Sequence, residues 1–253
     1  MQSNFNVEIF PSRDEMGKAA GKCAERMFIN AIKQKNSGIV RAIFAAAPSQ
    51  NEILAFLAKS KKIDWSKVEA FHMDEYVGLP ADAPQGFGNF LDAHIFLKVP
   101  FAKVHYLRPA GNPEKNIKAY AAELKKAPID ICLMGIGENG HIAFNDPAVA
   151  DFHDGETVKI VELDNTCRNQ QVHDGCFKQL SDVPKQAVTL TVPTLFKSEH
   201  IVCTVPASAK AKAVKATILG PCSEKCPASI LRLHPDANMF LDAESGKYVS
   251  EFL

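Results

Sequence analysis

Hydrophobic residues recur along this chain with two different periods. Between residues 12 and 35 they fall at helical spacing, at Met16, Ala19, Ala20, Cys23, Met27 and Ala31, which predicts a long helix with one buried face. Ser12 is its candidate cap, with Glu15 three residues on as the capping-box partner. Further helices are predicted over 51–59, 87–97, 113–125 and 208–219, the third opened by a proline in its first turn. Between them lie short apolar runs at 38–47, 68–73, 104–107, 129–134, 187–192 and 201–205, read as strands. Residues 148–185 are polar and irregular, and are read as a mobile segment carrying a strand over 158–163 and a short helix from Asn165. Residues 193–196 read as a turn, and 230–233 and 239–241 as strands completing the sheet.

Strands alternating with helices predict an α/β fold, a doubly wound and mostly parallel sheet with helices on both faces. No repeat, low-complexity segment or linker divides it, so one domain over 1–253 is expected, with 148–185 as a possible lid.

The run at 129–134 is bounded by Pro128 and Gly135 and empties into Gly135-Ile136-Gly137-Glu138-Asn139-Gly140-His141-Ile142-Ala143-Phe144-Asn145-Asp146-Pro147. Glycines there let the backbone turn sharply and approach a ligand closely. Polar side chains just past the carboxyl end of a buried strand stand where open α/β sheets bind ligands. The glycines match G-x-G-x-x-G, but a dinucleotide site needs a helix to open directly after them, and Pro147 disrupts one. The plainer alternative is a tight turn with a capping histidine.

Composition narrows the function classes. Twenty-nine basic and 29 acidic residues cancel, so no electrostatic case exists for a nucleic-acid or membrane-surface partner. No apolar stretch approaches the roughly 18–20 residues that span a bilayer, and residues 1–8 lack the pattern of a secretory leader. Seven cysteines, an odd number in apolar surroundings, argue against a disulfide framework and for the cytoplasm. Cys222 and Cys226 have no second Cys or His pair to complete a zinc site, so no metal is expected.

Four polar clusters fall at predicted strand ends: 45–50, 73–76, 135–146 and 206–210. In a doubly wound sheet such loops converge on one crevice, and a carboxylate, a histidine and a lysine there suit proton transfer on a small anionic substrate. Asp74 is the candidate base, His141 a candidate acid or base, and Lys210 an anion anchor beside a helix N-terminus. Each has a plainer reading: Asp74 as a loop cap, His141 as a satisfied structural histidine, Lys210 as a solvated lysine. His72 and His105 read as structural.

The segment Phe71-His72-Met73-Asp74-Glu75-Tyr76-Val77-Gly78-Leu79-Pro80, followed by the loop at 135–147, closely resembles the glucosamine-6-phosphate deaminase family over nearly the whole chain. The resemblance implies a Rossmann-like fold and an aldose–ketose isomerisation coupled to loss of ammonia, with a sugar phosphate as substrate and no metal or organic cofactor. It implies that Asp74 takes the proton beside the sugar's aldehyde and that His141 assists ring opening, with Asn139 and Asp146 orienting and tuning it. An enediol-type intermediate needs such a carboxylate base and donors near the developing oxyanion. Position 146 is usually glutamate in that family, so Asp146 is shorter by one methylene. The family's first-strand loop is rich in glycine and threonine, whereas here Ala45-Ala46-Ala47-Pro48-Ser49-Gln50 offers Ser49 as its evident hydroxyl donor. An arginine used there for phosphate aligns with His173, Arg168 aligns with a different arginine, and Lys210 matches the phosphate lysine. The resemblance therefore implies substrate contacts at Ser49, Gly137, Arg168, His173 and Lys210, and leaves a homo-oligomer open. Two rival readings are a 6-phosphogluconolactonase-like hydrolase, disfavoured by Met73-Asp74-Glu75-Tyr76, and a sugar sensor without turnover.

Overall fold

The computed structural model describes residues 4–35, 38–109 and 111–252; the first three residues of the leader reading and the last of 1–253 lie outside them. In chain order the elements are β1 (Phe5–Phe10), α1 (Arg13–Gln34), β2 (Val40–Phe44), α2 (Asn51–Lys59), β3 (Val68–His72), β4 (Asp74–Tyr76), α3 (Phe87–Leu91), β5 (Lys103–His105) and α4 (Pro113–Leu124). There follow β6 (Ile131–Met134), β7 (Val158–Glu162), α5 (Asn165–His173), β8 (Gln186–Leu190), α6 (Val192–Phe196), β9 (His200–Val205), α7 (Ala211–Leu219), β10 (Ala237–Asp242) and α8 (Ala243–Gly246).

Seven strands form a parallel sheet in the order β1-β10-β9-β6-β2-β3-β5, as the α/β reading expects. Strand alternation splits the core into two layers. Val40, Ala42 and Phe44 of β2 and Ile131 and Leu133 of β6 point into one layer with Met16, Ala20 and Phe28 of α1 and Leu54 of α2. Ile43, Cys132 and Met134 point into the other, against Ile117 of α4 and Val214 of α7. Phe44 is fully buried, its ring 5.6 Å from those of Phe96 and Phe101. Truncation to alanine at such a site costs about 3–5 kcal/mol. The chain runs outward from β2 through β3 to β5, and from β6 to β9 and β10 on the other side. The carboxyl ends of β2 and β6 therefore frame the switch point, where open α/β sheets form their ligand crevice.

Several elements depart from expectation. Residues 5–10, not assigned to any element from the sequence, form the edge strand β1 paired with β10. Residues 230–233 are not a strand: they close a 3-10 helix, Pro227–Leu233. Residues 193–196 lie in α6, a short helix with Pro193 near its start. The helix predicted over 87–97 is α3 running into a π-helical turn at Asp92–Phe96. The strands near 158–163 and 187–192 leave the main sheet and form with β4 a separate antiparallel ribbon, β4-β8-β7. Among the described residues no helix is long and apolar enough to cross a membrane.

Candidate active site

The glycine loop after β6 opens no helix; it makes turns and closes on itself through an Ile142–Asn145 bridge, which removes the dinucleotide reading. Gly137 N–H donates to the His141 carbonyl at 2.8 Å. A Cβ on Gly137 would stand 2.1–2.3 Å from ring atoms of His141, so the imidazole lies directly on bare backbone. On its other side His141 Nδ1 is 2.9 Å from Asp146 Oδ1. Asn139 Nδ2 donates to that same oxygen at 2.9 Å, and Asn139 Oδ1 accepts from His141 N–H at 3.0 Å. Asn139 thus ties the carboxylate and the histidine backbone together. With Nδ1 turned to Asp146, Nε2 is the nitrogen left to serve the cleft.

Burial by itself raises the Asp146 carboxyl; the His141 ring, the Asn139 amide and the Cys167 thiol outweigh it, and the group sits below its ordinary value. His141, Asp146 and Cys167 carry donor atoms within 4.8 Å of one another and could hold a metal ion. A cation there would displace the His141–Asp146 contact.

Asp74 reaches the cleft from the antiparallel ribbon. It pairs with Thr189 of β8, and Thr189 Oγ1 accepts from Phe144 N–H at 3.1 Å, while Asn145 Nδ2 donates to the Leu190 carbonyl at 2.8 Å. The ribbon is therefore braced to the glycine loop, which fixes Asp74 relative to His141. Burial, and secondarily the neighbouring Glu75, push the Asp74 carboxyl well above the usual range. A carboxyl shifted this way by burial, in a cleft, is a candidate for proton transfer.

The cleft is lined by Asp74, His141, Gly137, Ser49 and Lys210 together, so one site gathers five of the nine residues singled out from the sequence. Lys210, almost fully buried at the turn into α7, has its ammonium pK lowered by burial, partly countered by Asp174 and Glu138. Two non-glycine residues with left-handed backbone, Ala143 (φ 48) and Ala207 (φ 79), also line it, and local strain of this kind gathers at functional sites. Asn139 and Asp146 stand behind His141 rather than on the cleft wall.

Arg168 and His173 lie elsewhere. The Arg168 guanidinium donates to the carbonyls of Leu180 and Val183 at 2.7 and 3.0 Å and holds that turn. His173 is 64% exposed, 3.6 Å from Glu138 Oε1. The face of α5 that meets the cleft carries Gln170 and Gln171 instead, with Asp174 at its C-cap. Gln171 Oε1 accepts from Tyr76 Oη at 2.8 Å and Gln170 Oε1 from Glu138 N–H at 2.8 Å, which straps α5 over the site. Sequence reasoning missed these three, and it missed Arg13, which also lines the cleft. The spacing of Cys167, Gln170, Gln171 and Asp174 is the signal that could have found the first group. His72, fully buried with Nε2 accepting from Leu107 N–H, has its pK lowered to about 3 by burial and is structural.

Fold and cleft together define an α/β protein with its ligand site at the switch point of a parallel sheet, furnished with a buried carboxyl, an imidazole and an ammonium group. The sequence profile of glucosamine-6-phosphate isomerases/6-phosphogluconolactonase matches residues 11–240. A glucosamine-6-phosphate deaminase of Bacillus cereus is 30% identical over 248 residues, 98% of this chain and 90% of its own. The solved structure of a monomeric glucosamine-6-phosphate deaminase matches with a TM-score of 0.86 at 24% identity, covering 96% of this chain and 99% of that one. The 6-phosphogluconolactonase of Trypanosoma brucei matches at 0.80 with 16% identity, covering 98% and 100%; at these identities both likenesses concern the fold. The chain belongs to the glucosamine-6-phosphate isomerase/6-phosphogluconolactonase family.

Proposed function

We propose that the protein is an amino-sugar-phosphate isomerase and deaminase, converting glucosamine 6-phosphate or galactosamine 6-phosphate to the ketose phosphate and ammonia. The observation that carries this reading is the buried carboxyl of Asp74 in the same cleft as His141 and Lys210. His141, oriented by Asp146 and Asn139, moves the proton that opens the sugar ring. Asp74 as carboxylate removes the proton from C2 of the open chain and returns it to C1. The resulting imine at C2 takes up water and releases ammonia, which is the hydrolytic part of the reaction. The curated deaminase relatives support the same substrate class.

The segment 148–185 acts in this reading as a cover, because α5 roofs the cleft through the Tyr76 and Glu138 contacts. The lactonase reading draws on the family as a whole. Lactone hydrolysis needs an activated water but no base at a sugar C2, so the placement of Asp74 favours the deaminase.

The test is ammonia release with ketose formation from both amino-sugar phosphates, run beside the unphosphorylated amino sugars and 6-phosphogluconolactone. Turnover of an amino-sugar phosphate supports the proposal. Hydrolysis of the lactone alone overturns it in favour of the lactonase, and binding without turnover of any substrate leaves the sensor.

A further inference from the structure

The cleft needs a cationic partner for Lys210. A phosphate ester carries up to two negative charges, whereas the single charge of Lys210 is opposed by Asp174 on the cleft wall and by Glu138 nearby. The loop after β2 adds less than a phosphate loop ordinarily does, because Pro48 has no backbone N–H to give. Arg168 is spent on the turn at Leu180 and Val183, and His173 faces solvent.

Arg13 stands at the start of α1, on the wall formed by the loop after β2. Its Nε lies 2.8 Å from Glu52 Oε1 in the first turn of α2, and its Nη2 donates to the Pro48 carbonyl. Gly17 makes this contact possible: a Cβ there would stand 2.2 Å from Glu52 Cβ, so the stem of Glu52 packs on bare backbone of α1. These bonds engage Nε and Nη2, and Nη1 has no hydrogen-bond partner among the described residues.

We propose that Arg13 is the second cationic residue of the anion site in this cleft, donating from Nη1 to the phosphate of the substrate while Lys210 and Ser49 hold the same group. The assignment rests on the sugar-phosphate reading of the site. Glu52 and Pro48 hold the fork in place before the ligand arrives, so little side-chain freedom is lost on binding. A planar fork suits a phosphate, which accepts two parallel bonds. The turn Pro48–Gln50 also leads into the N-terminus of α2, whose partial positive charge acts on the same group.

The experiment measures binding calorimetrically in a background carrying Asp74→Asn, which blocks turnover. Glucosamine 6-phosphate, inorganic phosphate and unphosphorylated glucosamine are titrated into the background protein and into the same protein with Arg13→Ala or Arg13→Lys. The expected result is a loss of about tenfold to a hundredfold in affinity for both phosphates with Arg13→Ala, from one charge-assisted contact. Glucosamine binding moves far less, and Arg13→Lys, which keeps the charge without the fork, falls between. A purely structural arginine would weaken phosphorylated and unphosphorylated sugar equally, and that pattern overturns the assignment. So does unchanged phosphate binding in folded Arg13→Ala, or in Arg13→Lys should the alanine variant not fold. If the native protein binds glucosamine 6-phosphate through Arg13 but does not turn it over, the deaminase reading falls and Arg13 stands; if it binds neither phosphate, both fall.

Discussion

Replacing Asp146 by asparagine keeps the shape behind His141 and removes its charge. Asp146 is 1% exposed, its Oδ1 takes the Asn139 amide, and the same oxygen lies 2.9 Å from His141 Nδ1. At that separation two unit charges interact by roughly 6 kcal/mol at an effective dielectric of about 20. The neutral imidazole also profits from the carboxylate, so only part of this separates the imidazolium formed during ring opening from the resting ring. Taking about half, or about 3 kcal/mol, the loss in kcat is roughly a hundredfold. An asparagine that presents its NH2 to Nδ1 would impose the wrong tautomer and cost more, about 10⁴-fold in a comparable arrangement. The assay is ammonia release from glucosamine 6-phosphate under saturation, with folding checked by circular dichroism and thermal unfolding. A folded Asp146→Asn enzyme within about threefold of native kcat would refute the reasoning, since a desolvated charge at this distance cannot be worth so little.

Asp74→Asn is expected to abolish turnover and to gain thermal stability relative to the native protein as pH rises above the ordinary carboxylate range. The folded carboxyl has a raised pK, so the native state holds its proton longer than the unfolded chain, and its ionisation costs stability as pH rises past the ordinary carboxylate range toward the raised value. A native Tm that does not fall relative to the variant over that window would contradict it. In the pH profile of kcat/KM, the acid limb should lie above the usual carboxylate range, because Asp74 acts only when ionised; a limb near an ordinary aspartate value would contradict the burial argument. Gly137→Ala places a methyl inside the His141 ring contact, and a displacement of about 1 Å costs roughly a hundredfold in kcat; steady-state kinetics on the folded variant decide it. Arg168→Ala should lower stability by about 1–3 kcal/mol in denaturant titrations through its lost bonds to Leu180 and Val183. Its KM for the sugar phosphate should stay within threefold of native, because the guanidinium is turned from the cleft.

What could be read from the chain divides along a physical line. The loop at 135–147 and the segment at 71–80 were legible because their chemistry is local: Gly137, Asn139, His141 and Asp146 contact one another within ten residues. The parallel sheet was legible because strands buried on both faces are apolar throughout. Pairing between distant strands leaves no such trace, so nothing in 158–163 or 187–192 announced that they would join Asp74 in an antiparallel ribbon. Residues 230–233 are as apolar as a strand, but their hydrogen bonds are local and a short apolar run does not distinguish the two. Phe5, Val7 and Ile9 alternate with Asn6 and Glu8, a short period-two signal for β1. On α5 the phase of the helix decides: Gln170 and Gln171, with Asp174 at the C-cap, share the inner side, and Arg168 and His173 stand off it. Arg13 carried no local signal, since its place depends on the meeting of α1 and α2.

The central claim is that Asp74 removes the C2 proton of an amino-sugar phosphate, and a labelled substrate tests it most directly. Glucosamine 6-phosphate carrying deuterium at C2 is incubated with native protein and with Asp74→Asn, and the label is followed by NMR. The account predicts that the native protein moves deuterium from C2 to solvent or to C1 of the ketose product while ammonia accumulates, and that the folded variant leaves it at C2. Movement of the label by Asp74→Asn at a native-like rate would contradict it.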